Sequence, residues 1–184
     1  MDKITARELF GNMRPGFFEQ EYIKNIGDKS VSEEMVLSLP DYVSAAPVPV
    51  KLADVTFGRY EGDMEAMRAA VRSVEPGWEK YYDDKHEIYC AMHEGKIVSF
   101  CLIEDMGAHM AGGKLLKVGG PGCVGTVPEF RKLGTGLRMI QLVTDILKER
   151  GYDISYIHYT GVAPWYAKLG YETVIRWNGF GIID

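Results

Sequence analysis

The chain of 184 residues has little of what marks several special classes of protein. Its three cysteines, Cys90, Cys101 and Cys123, are widely spaced without a Cys-x-x-Cys pair, which argues against a disulfide framework and a zinc ribbon. The four histidines show no paired ligand spacing, so we expect no bound metal. No run of about 20 apolar residues occurs, so we expect no membrane-spanning segment.

Clusters of positive charge are also absent. Asp and Glu number 26 against 21 Lys and Arg, and the basic residues are scattered along the chain. Nucleic-acid binding depends on concentrated cations that displace counterions from phosphates. We therefore expect no nucleic-acid partner.

What the sequence does contain is the composition of one globular domain. Hydrophobic residues make up 46% and charged residues 26%, and the length corresponds to one domain of about 150 residues with an extension at one end. The charged opening residues, Met-Asp-Lys-Ile-Thr-Ala-Arg-Glu, do not match a signal peptide, and unpaired cysteines fit a reducing compartment. We therefore expect a cytoplasmic protein without a membrane partner. Its oligomeric state stays open, with a homodimer among the options.

Residues 1–50 differ in pattern from the rest of the chain. Residues 6–10 and 32–39 look helical, with Ser32 as a candidate N-cap ahead of two glutamates. Residues 44–50, Ser-Ala-Ala-Pro-Val-Pro-Val, are typical of an extended connector because closely spaced prolines block a helix. We predict an N-terminal helical extension and linker at residues 1–50, followed by the main domain at residues 51–184.

The main domain alternates between strand-like and helix-like patterns. Strands are indicated at residues 55–60, 87–92, 96–103, 115–118, 123–127, 154–159, 171–177 and 180–183. The clearest helix covers residues 134–150, because Leu137, Ile140, Val143 and Leu147 recur at helical spacing. This order predicts a mixed α/β sheet rather than repeated βαβ units.

Nine of the 21 glycines fall between Gly107 and Gly136. Residues 120–125 match the G-x-G-x-x-G dinucleotide fingerprint, but they look like strand where the fingerprint requires the start of a helix, so we reject that interpretation. Residues 131–136 instead lead from a strand into the first turn of a helix. Bare amides at Gly134 and Gly136, the helix dipole and two neighbouring cations would attract a phosphate there. A glycine-rich structural turn is the alternative.

Two blocks of sequence together resemble a known family. The run Arg131-Lys-Leu-Gly134-Thr-Gly136 resembles the R/Q-x-x-G-x-G/A signature of the GNAT superfamily of acyl-CoA-dependent N-acetyltransferases. Further along, Trp165-Tyr-Ala-Lys-Leu-Gly170-Tyr-Glu is similar to the family's second recurrent block. The resemblance covers residues 52–184. It implies a mixed, mostly antiparallel sheet of six to seven strands, splayed at the fourth and fifth strands and flanked by helices.

The resemblance also implies acetyl-CoA as the acyl donor. In the family, the pantetheine arm of the donor pairs with the strand end that corresponds to Val124, Gly125 and Thr126. Tyr166 corresponds to the family's tyrosine acid, which protonates the departing thiolate. The diphosphate would lie on residues Arg131, Lys132, Leu133, Gly134, Thr135 and Gly136.

The general base is less clear from the sequence. The glutamate that the family often carries on its fourth strand has no counterpart, because residues 118–127 contain no carboxylate. Many members also carry an asparagine ahead of the tyrosine, where this chain has Tyr159; either Tyr159 or Thr160 substitutes for it, or that cofactor contact is absent. Deprotonation through water is the default, and the candidate side chains are Glu104, Asp105, His109 and His158.

An aromatic and acidic cluster at residues 78–84 is the candidate acceptor site. Trp78, Tyr81 and Tyr82 would hold an amine through cation-π contacts beside two aspartates, and a half-buried helix face is the alternative. The resemblance thus implies an N-acetyltransferase in which a primary amine of a small molecule or peptide attacks the thioester directly. Two alternatives stay open: an acyl-CoA-binding sensor module without turnover, and an O-acyltransferase.

Overall fold

Five α-helices and eight β-strands make up the computed structural model, which describes residues 1–184. The helices are α1 (Lys3–Met13), α2 (Glu21–Lys24), α3 (Met64–Arg72), α4 (Thr135–Glu149) and α5 (Ala163–Tyr166). The strands are β1 (Ser32–Ser38), β2 (Val55–Arg59), β3 (Glu87–His93), β4 (Lys96–Ala111), β5 (Lys114–Thr126), β6 (Ile154–Thr160), β7 (Glu172–Asn178) and β8 (Gly181–Ile182). Short 3-10 segments lie at Phe17–Glu19, Pro76–Tyr81, Pro128–Phe130 and Ala167–Leu169. None of the helices has both the length and the apolar character needed to cross a lipid bilayer.

The strands form a mixed sheet in the order β2-β3-β4-β5-β6-β1-β7-β8. Antiparallel pairing joins β2 to β3, β3 to β4, β6 to β1, β1 to β7 and β7 to β8. Strands β5 and β6 run parallel, with Val118 opposite Ile154 and Gly119 opposite Ser155. The predicted mixed, mostly antiparallel fold is therefore confirmed, with eight strands in place of six to seven.

The additional strand is β1, which comes from the segment predicted as helix at residues 32–39. That prediction is wrong, because Ser32–Ser38 pairs antiparallel with β6 on one side and with β7 on the other. A serine followed by two glutamates resembles a helix start, but strand pairing along both edges outweighs this local preference. Glu34 is fully buried there, and its carboxylate accepts a hydrogen bond from Trp177 Nε1 at 2.7 Å. The division of the chain at residue 50 stays a prediction.

Contacts within the chain divide it into two compact units. The terminal unit comprises Met1–Tyr42, Asp105–Gly119 and Lys148–Asp184. The central unit comprises Val43–Glu104 and Gly120–Leu147. Strands β4 and β5 each begin in one unit and end in the other.

Each unit has its own buried apolar cluster. In the terminal unit, Leu9 of α1 and Trp177 of β7 belong to one cluster. In the central unit, Met67 and Val71 of α3 belong to another, together with Phe100 of β4. Each such side chain contributes about 1.5–3 kcal/mol when it leaves water. The central cluster is the one that supports the end of β5.

Candidate functional site

The end of β5 leads into α4 through a short loop, residues 127–134, within the central unit. Val127 N donates to Val98 O at 3.0 Å, which keeps the end of β5 beside β4. Ser99 Oγ, fully buried on β4, lies 3.0 Å from Thr126 Oγ1 and 2.9 Å from Thr135 Oγ1. One buried hydroxyl therefore connects the last residue of β5 with the first residue of α4.

Gly125 on β5 has no room for a side chain. A Cβ at this position would lie 2.3 Å from ring atoms of Phe100. The Phe100 ring is itself fully buried and packs edge-on against Tyr82, with ring centroids 5.4 Å apart. An aromatic ring thus fills the space on this side of the main chain at Gly125.

Cys123, two residues earlier, departs from regular strand geometry. Its φ of +46° lies in the left-handed region, which residues other than glycine seldom occupy. Its carbonyl accepts a hydrogen bond from the Tyr82 hydroxyl at 2.7 Å. The carbonyl of a residue in an unusual conformation therefore has a dedicated buried donor.

The three cysteines are free thiols of low reactivity. Burial raises the pKa of Cys123 to about 12 and the pKa of Cys90 to about 11. It raises the pKa of Cys101 further. These thiols stay protonated near neutral pH, which makes them poor nucleophiles.

No group of three or more His, Cys, Asp or Glu side chains is arranged to hold a metal ion.

The loop before α4 turns through two left-handed residues, Lys132 with φ +65° and Gly134 with φ +90°. Arg131 Nε donates to Thr126 O at 3.2 Å, which ties the loop back to the end of β5. Arg138 N donates to Gly134 O at 3.0 Å in the first helical turn. The amides of residues 135–137 come before this bond and have no acceptor within the helix. Such amides, together with the helix dipole, favour an anion at the start of α4.

A second segment, which we call the strap (residues 45–51), lies against this loop. Lys51 N donates to Leu133 O at 2.8 Å. Pro49 O lies 2.3 Å from the position that a Cβ on Gly134 would take. The strap therefore gives a structural reason for the glycine at 134, where the sequence suggested an open approach for a phosphate.

Gln141 on α4 connects the helix to the strap. Its side chain is almost fully buried, and its Oε1 accepts from Val48 N at 2.8 Å. Its Nε2 donates to Ala45 O at 3.2 Å and to Ala46 O at 3.1 Å. Gln141 is not among the residues predicted from the sequence, although a glutamine on the otherwise largely apolar buried face of α4 is a signal that could have identified it.

Tyr166 lies in the terminal unit, at the end of α5, and is almost fully buried. Its ring packs edge-on against Trp165, with centroids 4.8 Å apart, and lies 6.1 Å from the ring of Tyr171. The Tyr171 hydroxyl lies 2.7 Å from Ser155 Oγ on β6. The second sequence block therefore forms a packed aromatic group that restricts the Tyr166 ring.

The candidate bases have different surroundings. A Cβ on Gly122 would lie 2.0 Å from Glu104 Oε1, so this carboxylate fills the space that a side chain at position 122 would take. Asp105 Oδ1 instead accepts a hydrogen bond at 2.9 Å from the main-chain amide of Gly107, also on β4. His109 Nε2 lies 2.7 Å from Met106 O on the same strand.

His158 and Tyr159 lie beside the buried Glu34 in the terminal unit. His158 Nδ1 is 2.9 Å from Glu34 Oε2. Tyr159 is left-handed, with φ +56°, and its ring packs on Trp177 with centroids 4.7 Å apart. The Thr160 hydroxyl accepts from the amide of residue 162 at 3.1 Å. All three side chains thus have structural partners within their own unit.

The predicted acceptor cluster is only partly exposed. Tyr81 is 43% exposed, with Lys80 Nζ 4.9 Å from its ring centroid, whereas Trp78 packs against the central core. Tyr82 has no exposed surface, because its ring completes that core, so its ring cannot receive an amine as the sequence suggested. An open groove of about 630 Å³ adjoins this segment, and its lining includes Glu65, Arg68, Pro76, Gly77, Glu79, Lys80 and Asp83.

Comparison with protein families gives one match over most of the chain. The family model described as the acetyltransferase (GNAT) domain matches residues 54–174, a region that includes the end of β5, the loop, α4 and α5. No protein of curated function matches the chain at a significant level.

Several solved structures share the fold at low sequence identity. The GCN5-related glucosamine N-acetyltransferase region of a fungal multi-domain β-N-acetylglucosaminidase is 20% identical with a TM-score of 0.66, over 82% of this chain and 20% of that one. A putative GNAT-family acetyltransferase from Novosphingobium aromaticivorans is 19% identical with a TM-score of 0.55, over 80% and 62%. A GCN5-related N-acetyltransferase from Sphaerobacter thermophilus is 20% identical with a TM-score of 0.57, over 80% and 50%. The chain therefore spans between 20% and 62% of the length of these proteins, and the likeness concerns the fold.

Proposed function

The chain belongs to the GNAT acetyltransferase domain family, and on that premise we propose that it is an N-acetyltransferase that transfers an acetyl group from acetyl-CoA to a primary amine of a small molecule or peptide. The observation that carries the proposal is the junction between β5 and α4. It lies inside the matched region, residues 54–174, and combines a rigidly supported strand end with a helix start suited to an anion.

We assign donor binding to the main chain of this junction. Strand β5 pairs with β6 at Val118 and Gly119, ahead of this segment, so the amide-bearing arm of the donor can pair with Val124, Gly125 and Thr126 as an added strand. The amides of residues 135–137 and the cations of Arg131 and Lys132 suit a diphosphate. When bound, acetyl-CoA supplies the acetyl group as a thioester.

We assign removal of the amine proton to Glu104. A primary ammonium has a pKa of about 10.4, so only about one amine in a thousand is neutral at pH 7 and a base is needed. The Glu104 carboxylate fills the side-chain space at Gly122, two residues before Val124 on β5. A glutamate on β4 would thus stand in for the carboxylate that β5 lacks.

We assign protonation of the departing thiolate to Tyr166. The sequence block that contains this tyrosine supports the assignment, and packing against Trp165 and Tyr171 restricts its ring. Loss of one proton-transfer group lowers turnover by about 10²-fold or more. We therefore expect Tyr166→Phe to lower kcat by that amount and to leave the affinity for coenzyme A unchanged.

The test is calorimetry with coenzyme A followed by a thiol-release assay over a panel of primary amines. We expect binding in calorimetry, release of free thiol with at least one amine, and the loss of kcat in Tyr166→Phe. Tyr22→Phe, which changes an exposed tyrosine of α2, is the matched control and should keep wild-type turnover. Glu104→Gln should lower kcat/KM by about 10²-fold, the effect of losing one proton-transfer group.

The outcomes separate the alternatives. Absence of coenzyme A binding at millimolar concentration would contradict the proposal as a whole. Binding without thiol release on any acceptor would favour a sensor module, and release with alcohols alone would favour an O-acyltransferase. Wild-type kcat in Tyr166→Phe would remove that residue from the mechanism.

We also propose a cytoplasmic location for this enzyme. Its three cysteines are free, which is typical of proteins in reducing compartments. Cell fractionation with a specific antibody tests this location.

A further inference from the structure

Tyr82 occupies a position that the proposed function leaves unexplained. Its ring is fully buried in the central unit, yet its hydroxyl donates to a main-chain carbonyl, Cys123 O, at 2.7 Å. Burial raises the pKa of this hydroxyl well above its usual value, so it keeps its proton and remains a donor. The bond joins the end of the 3-10 segment Pro76–Tyr81 to β5.

The acceptor of this bond is the residue at which β5 leaves regular geometry. Cys123 has φ +46°, although it is not a glycine. A left-handed residue inside a strand changes the direction in which the following amide and carbonyl groups point. Such a conformation persists only where the surroundings hold it, and the Tyr82 hydroxyl is a buried group bonded directly to this residue.

The residues that follow Cys123 are those assigned to the donor. Val124, Gly125 and Thr126 come next along β5, and Phe100 supports Gly125 from one side while packing edge-on against the Tyr82 ring. The two packed rings support the main chain of β5 from one side, and the Tyr82 hydroxyl is hydrogen-bonded to that main chain at Cys123 O. Removing the hydroxyl alone leaves the two packed rings in place but takes away the donor to Cys123 O.

We propose that Tyr82 is a positioning residue for the acyl donor, because its hydroxyl holds Cys123 in the left-handed conformation that aims Val124–Thr126. The inference rests on the proposed function. It also replaces the earlier view of Tyr82 as part of the acceptor surface.

The test compares Tyr82→Phe with a matched control, Tyr60→Phe. The Tyr60 hydroxyl also donates to a main-chain carbonyl, Asp63 O, at 2.7 Å, and its ring packs against the same core, but its bond lies at the start of α3. A misplaced binding segment lowers affinity by about tenfold or more. We expect Tyr82→Phe to raise the Kd for coenzyme A and the KM for acetyl-CoA by about that factor with kcat little changed. Tyr60→Phe should change neither constant and, because its hydrogen bond is exposed, should lower Tm by less than Tyr82→Phe does.

Two substitutions at Cys123 distinguish positioning from a general structural role. Glycine accepts a positive φ without penalty, so Cys123→Gly added to Tyr82→Phe should restore most of the lost affinity. A β-branched residue resists a positive φ, so Cys123→Val should weaken coenzyme A binding even with the hydroxyl present. An equal Kd for coenzyme A in Tyr82→Phe and Tyr60→Phe, or no restoration by glycine, would overturn the inference.

Hydrogen exchange tests the inference without any ligand. We expect the amides of Val124–Thr126 to exchange faster in Tyr82→Phe and to be unchanged in Tyr60→Phe. If wild-type protein fails to bind coenzyme A, the proposed function fails, and this local exchange still decides whether Tyr82 positions β5. Unchanged exchange at these amides in Tyr82→Phe would contradict the inference.

Discussion

Alanine at position 134 should separate the loop from the strap. Gly134 has φ +90°, and a Cβ there would lie 2.3 Å from Pro49 O and 3.4 Å from Val50 Cα. An ordinary contact would require the strap to retreat by about 1 Å, since the atoms it presents are main chain and cannot rotate away. Such a shift would break the 2.8 Å bond from Lys51 N to Leu133 O.

Three contributions add up for Gly134→Ala. The left-handed conformation costs a residue with a side chain about 1 kcal/mol or more. The lost hydrogen bond costs about 1 kcal/mol, and displacement of packed main chain adds a further amount of about 1 kcal/mol. We therefore expect the free energy of unfolding to fall by about 3 kcal/mol, which moves the urea midpoint by about 1 M or more.

Gly151→Ala is the matched control for this substitution. Gly151, just after α4, also has a positive φ, +71°, but a Cβ there would meet nothing within 4 Å. It should show only the conformational penalty, about 1 kcal/mol. Urea unfolding followed by tryptophan fluorescence measures both variants. Equal losses of stability in the two variants, or unchanged hydrogen exchange at residues 48–51 in Gly134→Ala, would refute the assignment of Gly134 to the strap.

Two further predictions follow from the central unit. Gln141→Leu removes the acceptor of Val48 N and the donor to two carbonyls, so we expect protease cleavage within residues 43–51 and a loss of about 2–3 kcal/mol of stability, measured by limited proteolysis and urea unfolding. Cys90 and Cys123 have pKa values raised by burial to about 11 and about 12, so at pH 8 less than about one in a thousand is thiolate. Iodoacetamide should label them only after unfolding, and rapid labelling of folded protein in mass spectrometry would contradict this.

Local patterns in the sequence were sufficient to predict most helices and strands of the main domain. The helix predicted at residues 134–150 is α4 at Thr135–Glu149, because its apolar residues recur at helical spacing and glycines stand at both ends. The strands predicted at 87–92 and 96–103 are β3 and β4, although β4 extends to Ala111. Each of these elements buries an apolar face, and apolar residues that recur with the period of the element indicate that face in the sequence.

The errors have a common physical cause, which is pairing between residues far apart in the chain. Ser32–Ser38 resembles a helix start, but Glu34 is held by Trp177, which lies more than a hundred positions away. Tyr82 belongs to an aromatic and acidic run that looks exposed, yet its hydroxyl meets Cys123 O. A single sequence contains no trace of either contact, so local propensity decided both predictions.

The proposed donor site depends on residues outside the motif that identifies it. Glycine-rich loops lose much conformational entropy on ordering and have few side chains to hold them, so neighbouring groups must determine their shape. Here Tyr82 holds Cys123, Ser99 connects Thr126 with Thr135, and the strap meets the loop at Leu133. A chain could keep the whole motif and lose this geometry through any one of these supports. The supports, rather than the motif alone, should therefore determine how tightly the loop binds a diphosphate.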